Sequence, residues 1–224
     1  YRLDAELLAQ AVTPRTRALL LNTPHNPSGR VFDETELSAV AAIVESNDLV
    51  LITDEIYDRM LYDGREHRSP GKSAELRERT ITVGGLSKTF AMTDWRLGYI
   101  VAPTALAAVV RPVHDFLTVR APTPLQAAAV TALSMPQSYY DEMLADYHRR
   151  REVMMTVLHA LAFSAATPQG SYYVLAEYSG IAAEQARLDS TAFAIWLTKE
   201  VGVAVVPGTV FYSIPGHGES SVRF

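Results

Sequence analysis

The chain has 224 residues, 48% of them hydrophobic, and carries a formal net charge of −5. A mildly acidic chain lacks the basic face with which proteins bind nucleic acid or anionic membranes, so neither is an expected partner. The absence of cysteine excludes disulfides, thiolate zinc sites and cysteine nucleophiles. No apolar run approaches the roughly 20 residues that span a bilayer. These properties predict a soluble, cytoplasmic, globular protein.

The first half of the chain alternates short apolar runs with helical patterns. Four of these runs predict buried strands, and they lie at residues 18–22, 49–53, 80–84 and 97–101. After the first run, Asp33 and Glu36 have the spacing of a capping box, which predicts the start of a helix. Strands that are apolar on both faces and alternate with helices indicate an α/β fold, with a mainly parallel sheet covered by helices on both faces.

The second half has a different pattern. A Pro-rich start at residues 121–124 predicts a helix to residue 133, and a long helix follows from about residue 139 to 161. Beyond it, a strand at 172–175, a helix from Ser190 to Gly202 and a strand at 203–206 predict a smaller α+β unit. The predicted domains are residues 1–147 and 148–224. Because residues 222–224 resemble a strand that has only begun, we expect the chain to be part of a longer one.

Polar residues follow three of the predicted strands, where open α/β sheets bind their ligands. After the first strand, Asn26 lies between Pro24 and Pro27, and Gly29 permits a positive φ. Such a stiff loop can hold one amide side chain in place, although the same residues also suit a plain turn.

Two further features contain ionisable side chains. Asp54 directly follows a buried strand and needs a cationic partner there, and Tyr57 offers a hydroxyl close by. The alternative is an N-cap acid beside a core tyrosine. Lys88 lies in a loop of small residues after the third strand, which makes it a candidate Schiff-base nucleophile, and Arg96 could bind a phosphate. Alternatively, both are ordinary surface residues.

The order of these motifs resembles that of the class I/II aminotransferases, which are pyridoxal-phosphate (PLP) enzymes of fold type I. The resemblance rests on Asn-Pro-Ser-Gly, Asp-x-x-Tyr, Ser-Lys and an arginine eight residues after the lysine. It extends from residue 20 to residue 224, and it includes the terminal Val-Arg-Phe. It implies a large PLP-binding domain and a smaller C-terminal domain, both of them incomplete here.

The resemblance also implies roles for individual residues. Lys88 matches the lysine that forms the Schiff base with the cofactor, and Asp54 matches the acid that pairs with the pyridine nitrogen. Tyr57 and Asn26 match the two groups that hydrogen-bond the 3′-oxygen of the ring. The resemblance implies that Asn26 contacts the substrate as well as the cofactor.

The phosphate and the substrate carboxylate have expected ligands as well. Arg96 matches a phosphate ligand, and Arg223 matches the arginine that binds the substrate α-carboxylate. Many family members carry a hydroxyl residue three positions before the lysine, whereas this chain has Gly85 there. Ser87 is the remaining candidate for a hydroxyl at the phosphate.

The implied activity is transfer of an amino group between an L-amino acid and a 2-oxo acid, by a homodimer. The alternatives on the same fold are a carbon–sulfur β-lyase or a decarboxylase. A non-catalytic regulator would need a DNA-binding appendage, and no basic patch or helix-turn-helix pattern is visible. The family's phosphate-cradling helix and ring-stacking aromatic precede the Asn-Pro-Ser-Gly loop, and residues 1–21 do not match them. About the first third and a C-terminal piece of the parent chain are expected to be absent.

Overall fold

The computed structural model describes residues 2–224, which divide into two units. The first unit comprises residues 2–24 and 31–142, and the second comprises residues 25–30 and 143–224. The division falls inside one helix, and the short loop at residues 25–30 belongs to the second unit. The boundary between residues 147 and 148 stays a prediction.

A four-stranded sheet forms the centre of the first unit. Its strands are β1 (Ala18–Asn22), β2 (Val50–Asp54), β3 (Thr80–Gly85) and β4 (Gly98–Val101), and they lie in the order β1-β2-β3-β4. The first three strands are parallel, and β4 runs antiparallel to β3. The prediction of a mainly parallel sheet in an α/β fold is confirmed, with each strand within one residue of its predicted bounds. The prediction that the fourth strand is buried is wrong, because β4 lies at the edge of the sheet and all four of its residues are exposed.

The parallel strands are joined by crossover connections, the first of which contains a helix and the second only short 3₁₀ turns. The chain opens with α1 (Ala5–Ala11), and α2 (Glu34–Ser46) connects β1 to β2. Asp33 and Glu36 form the predicted capping box at the start of α2. The apolar side of α2 packs on the sheet in a core made of Leu21, Val40, Val44, Leu49, Leu51 and Leu76.

Three helices follow the sheet, and they are α3 (Thr104–Thr118), α4 (Thr123–Leu133) and α5 (Gln137–Ala160). A small core of Leu86, Met92, Leu97 and Ala129 packs α4 against the turns around β4. No residue of α3 is buried. Its apolar side chains are exposed, among them Val109, Val113, Phe116 and Leu117.

The second unit contains a small antiparallel sheet. Its strands are β5 (Ser164–Ala165), β6 (Leu175–Glu177), β7 (Val206–Pro207) and β8 (Ser221–Arg223), in the order β5-β6-β8-β7. The predicted strands at 172–175 and 203–206 begin only at residues 175 and 206. Ser171 has a φ of +60°, which breaks the extended conformation just before the first of them.

Helix α6 (Ser190–Trp196) covers this sheet and continues as a π-helical turn, Leu197–Val201, that ends at Gly202. The N-cap is Asp189, one residue before the predicted Ser190, because its carboxylate accepts hydrogen bonds from the backbone N–H groups of residues 191 and 192. In the core, the rings of Tyr178 and Phe193 stack with centroids 3.8 Å apart.

Short helical turns complete the described chain. Within residues 2–224, single-turn 3₁₀ helices occur at Pro70–Lys72, Arg77–Arg79, Thr93–Trp95, Glu184–Arg187 and Gly208–Phe211. None of the helices in this part of the chain combines the length and the apolar character required to cross a membrane.

Candidate active site

Asp54 is the last residue of β2, a central strand of the first sheet. It is paired with Asn22 on β1 and with Val83 on β3. Its backbone carbonyl accepts hydrogen bonds from the Asn22 side chain and the Thr23 N–H, each at 3.0 Å. Its carboxylate oxygen Oδ1 accepts a hydrogen bond from the Ile56 N–H at 3.1 Å. The acid is therefore half-buried and held at the carboxyl edge of the sheet.

Tyr57 follows Asp54 in a tight turn and is only 2% exposed. The turn is closed by hydrogen bonds from the Asp58 N–H to the Glu55 carbonyl and from the Met60 N–H to the Tyr57 carbonyl. A phenol buried this deeply is fixed in position by its surroundings.

Glu55, next to Asp54, was not among the predicted site residues. Its carboxylate is almost completely buried and lies 2.6 Å from His67 Nε2. It also accepts hydrogen bonds from the hydroxyls of Thr53 at 2.7 Å and Ser69 at 3.0 Å. Burial acts to raise the pKa of Glu55, but these hydrogen bonds and the His67 charge outweigh it, so that the pKa is lowered. The only signal in the sequence is a second acid after Asp54.

Lys88 lies in the turn that follows β3. The turn begins where the Leu86 N–H donates to the Leu97 carbonyl, and it is closed by a hydrogen bond from the Phe90 N–H to the Leu86 carbonyl. The chain has three lysines, and Lys88 is half-buried, whereas Lys72 and Lys199 are exposed. Because β2 and β3 are parallel neighbours, Asp54 and the Lys88 turn lie at the same edge of the sheet.

Close packing around position 85 explains why it is a glycine. A Cβ atom added there would lie 2.9 Å from Ile56 Cδ1 and 3.1 Å from the Leu97 carbonyl oxygen. A hydroxyl residue would therefore have to displace its neighbours. Ser87, the other candidate, is half-buried, and its carbonyl accepts a hydrogen bond from the Thr93 hydroxyl at 3.1 Å.

Arg96 precedes β4 and has an exposed side chain. Its backbone is left-handed, with a φ of +53°. One guanidinium nitrogen, Nη1, donates to the Thr93 carbonyl at 3.0 Å. This contact ties the guanidinium to its own turn.

Asn26 and Arg223, which are 197 residues apart in the chain, contact each other in the second unit. Arg223 Nη1 donates a hydrogen bond of 2.8 Å to Asn26 Oδ1. Arg223 lies on β8 between Leu175 of β6 and Val206 of β7. Its Nε is buried and has no hydrogen-bond partner within residues 2–224. A buried donor of this kind is costly unless a ligand satisfies it.

The loop that carries Asn26 packs on residues 168–170. The N–H groups of Gln169 and Gly170 both donate to the Gly29 carbonyl at 2.8 Å. Gly29 has the predicted positive φ, +67°, and a Cβ there would lie 2.5 Å from Pro168. His25 Nδ1 is hydrogen-bonded to the Ser28 hydroxyl at 2.7 Å, and burial lowers its pKa. His25 therefore supports the loop.

Some of the predicted site residues come together, and each unit holds its own group. In the first unit, Asp54 and Lys88 share one sheet edge, and in the second Asn26 is bonded to Arg223. The roles of these residues at a cofactor or a substrate stay predictions. No group of side chains in the described part of the chain could hold a metal ion.

A mainly parallel sheet with an acid and a lysine at its carboxyl edge, together with a small antiparallel unit, defines a fold type I PLP-dependent protein. The model of the family "Aminotransferase class I and II" matches residues 1–224, and the chain belongs to this family, whose members use PLP.

Known relatives match nearly the whole of this chain. It is 34% identical over 240 residues to human kynurenine–oxoglutarate transaminase 1, a match that covers 100% of this chain and 57% of the relative. It is 40% identical over 217 residues to the aspartate/prephenate aminotransferase of Thermus thermophilus, covering 96% and 54%. Among solved structures, the N-succinyldiaminopimelate aminotransferase of Mycobacterium tuberculosis matches with a TM-score of 0.93 at 35% identity, covering 99% and 57%. The chain spans about half the length of the curated relatives it matches.

Proposed function

We propose that the protein is a PLP-dependent aminotransferase that moves an amino group between an L-amino acid and a 2-oxo acid. The observation that carries this proposal is the pairing of Asp54 and the Lys88 turn at the carboxyl edge of neighbouring parallel strands. A carboxylate that ends a strand and a half-buried amine after the next strand are complementary to a pyridine nitrogen and an aldehyde.

The remaining functional groups of PLP have complementary residues in this chain. We assign the 3′-oxygen to Tyr57 and Asn26, and the phosphate to Arg96 with Ser87 as a further donor. Asp54 keeps the pyridine nitrogen protonated, and bound PLP then supplies an electron sink for the bonds to the substrate Cα. Lys88 would hold the cofactor through its amine, and the free amine would move a proton between the substrate Cα and C4′ of the cofactor.

Arg223 is the proposed ligand of the substrate α-carboxylate. Its buried Nε has no partner in the described chain, and a carboxylate would accept a hydrogen bond from it. Kynurenine, methionine and aspartate appear in the names of the relatives. We propose that the donor is an L-amino acid and that 2-oxoglutarate is the first acceptor to test.

We also propose that the protein acts as a homodimer in the cytoplasm. Support for an interface comes from α3, whose apolar residues Val109, Val113, Phe116 and Leu117 are exposed. Sedimentation equilibrium of the longest natural chain that contains these residues tests the oligomeric state. A monomer at all concentrations would contradict the dimer.

The decisive experiment locates the bond to the cofactor. The longest natural chain containing these residues is loaded with PLP, reduced with borohydride and mapped by mass spectrometry, with the exposed Lys72 as control. We expect pyridoxyl label on Lys88 in the wild type and in Lys72→Ala, and no labelled lysine in Lys88→Ala. Label on another lysine, or none, would refute the proposal.

A panel of amino donors with 2-oxoglutarate then defines the reaction. Formation of glutamate together with the matching 2-oxo acid supports amino transfer. Release of pyruvate and ammonia from a cysteine conjugate without any 2-oxo acid would favour the β-lyase, and release of carbon dioxide would favour the decarboxylase. Either result in place of glutamate formation would refute amino transfer.

A further inference from the structure

The guanidinium of Arg223 lies close to two aromatic rings of the second unit. Its central carbon lies 4.0 Å from the centroid of the Tyr173 ring and 5.1 Å from that of Phe211. Both distances are within the range in which a cation is attracted to the face of an aromatic ring. We call Tyr173 and Phe211 the aromatic clamp.

The clamp is continued by further aromatic rings on one side. The Tyr172 and Tyr173 rings lie 4.6 Å apart, and Tyr172 is stacked on Tyr147 with the ring planes 16° from parallel. Tyr147 belongs to α5, while Tyr172 and Tyr173 precede β6. The Tyr173 ring is therefore linked to α5 through Tyr172, which restricts its movement.

The contacts leave one part of the guanidinium available to a ligand. The two aromatic rings cover it, and Nη1 is bonded to Asn26. Nε is buried without a partner in the described chain. The edge that carries Nε and Nη2 is thus the one suited to a ligand. Two parallel N–H donors on one edge match the two oxygens of a carboxylate.

We propose that Tyr173 and Phe211 are positioning residues that present the Nε–Nη2 edge of Arg223 to the substrate carboxylate. This proposal rests on the proposed function, because it takes Arg223 as the carboxylate ligand. The clamp excludes water from the guanidinium and restricts its rotation, so that ordering of the side chain is completed before the substrate binds. The clamp therefore increases affinity for a carboxylate without taking part in proton transfer.

The test compares variants that remove a ring with variants that keep one. Phe211→Leu and Tyr173→Leu remove the contact, whereas Phe211→Tyr and Tyr173→Phe preserve it. Tyr212→Leu is the matched control, since Tyr212 is adjacent to Phe211 and its ring lies 5.6 Å from His217. The probes are the best amino donor of the panel, and 3-phenylpropanoate and its uncharged amide as competitive inhibitors.

We expect each leucine variant at the clamp to raise the KM of the donor and the Ki of 3-phenylpropanoate by about three- to tenfold. We expect kcat to stay within about twofold, because the clamp does not contact the reacting atoms. The Ki of the amide should not change, and the ring-preserving variants should behave as the wild type. A purely structural role would change both inhibitors equally, would lower kcat, or would give the same result for Tyr212→Leu, and any of these outcomes overturns the proposal.

Arg223→Lys separates failure of the clamp from failure of the proposed function. If Arg223→Lys raises the Ki of 3-phenylpropanoate but the leucine variants at the clamp do not, only the clamp is wrong. If Arg223→Lys leaves that Ki unchanged, Arg223 is not the carboxylate ligand and the inference fails with it. Thermal denaturation of every variant identifies any that fail to fold. If the leucine variants fail, a changed Ki of 3-phenylpropanoate in Phe211→Tyr or Tyr173→Phe still contradicts the proposal.

Discussion

The carboxylate of Glu55 is expected to stabilise the first unit, because it is buried and hydrogen-bonded to His67, Thr53 and Ser69. Glu55→Gln keeps the shape of the side chain and its bonds to the hydroxyls of Thr53 and Ser69. However, it removes the charge and turns an N–H group towards His67 Nε2, which lies 2.6 Å from the carboxylate. The loss is that of one hydrogen bond to a charged group, about 1.5–3 kcal/mol. For a domain of this size, it corresponds to a decrease in Tm of about 3–12 °C.

The same substitution has a defined pH dependence. The pKa of Glu55 is lower in the folded protein than in the unfolded chain, so the ionised form stabilises the fold. This contribution is fully present above the unfolded pKa, about 4.3, and is lost as the pH falls through the lower folded value. The difference in stability between the wild type and Glu55→Gln should therefore be largest near neutral pH and should shrink below about pH 4.

Urea denaturation followed by circular dichroism, at neutral pH and in acid, measures this difference. The control is Glu66→Gln, which makes the same chemical change at an exposed residue close in sequence. Surface substitutions of this kind change the stability by about 0.5 kcal/mol or less. Equal losses for the two variants, or a loss at Glu55 that does not depend on pH, would refute the reasoning.

Four further predictions concern other parts of the chain. Gly29→Ala should destabilise the protein by more than about 1 kcal/mol in urea denaturation, because φ is +67° and the new Cβ would lie 2.5 Å from Pro168; no loss would contradict that packing. Tyr178→Phe should cost about 1–3 kcal/mol in the same assay, since the buried hydroxyl lies 2.8 and 2.7 Å from two backbone carbonyls. A spectroscopic titration should find Tyr178 un-ionised at pH 10, because burial and nearby acids raise its pKa to about 12. Asp54→Asn should weaken cofactor retention on dialysis by about 1.5–3 kcal/mol, and unchanged retention would argue against its role.

Much of the first unit could be predicted from local sequence. The parallel strands are short apolar runs, and such runs form buried strands wherever helices cover the sheet. The capping box of α2 requires only Asp33 and Glu36 three residues apart, so it is visible without any tertiary information. In contrast, α3 was not predicted, although Leu106, Val109, Val113 and Phe116 recur at helical spacing on both sides of Pro112. A proline within an apolar pattern usually indicates a break, and here the helix continues through it.

The contacts of the candidate site could be predicted less well than its residues. Motifs identified Asn26 and Arg223 separately, but their hydrogen bond joins residues 197 positions apart and depends on the fold of the second unit. The Glu55 network was missed for the same reason, since its partner His67 lies twelve residues on in an irregular loop. Tyr172 and Tyr173 suit a strand by propensity, yet their rings stack beside Arg223 instead, because tertiary packing overrides local preference.

Two turns contain a residue other than glycine at a position whose left-handed backbone favours glycine. Arg96 and Ser171 have left-handed backbones, with φ of +53° and +60°, which cost about 1–2 kcal/mol each for residues other than glycine. The hydroxyl of Ser171 accepts a hydrogen bond from the Tyr173 N–H, so the side chain itself holds the residue that contacts Arg223. Arg96 is exposed, and within residues 2–224 its guanidinium donates to the carbonyl of Thr93 in its own turn. We propose that binding of the cofactor phosphate by this guanidinium is what offsets the strain.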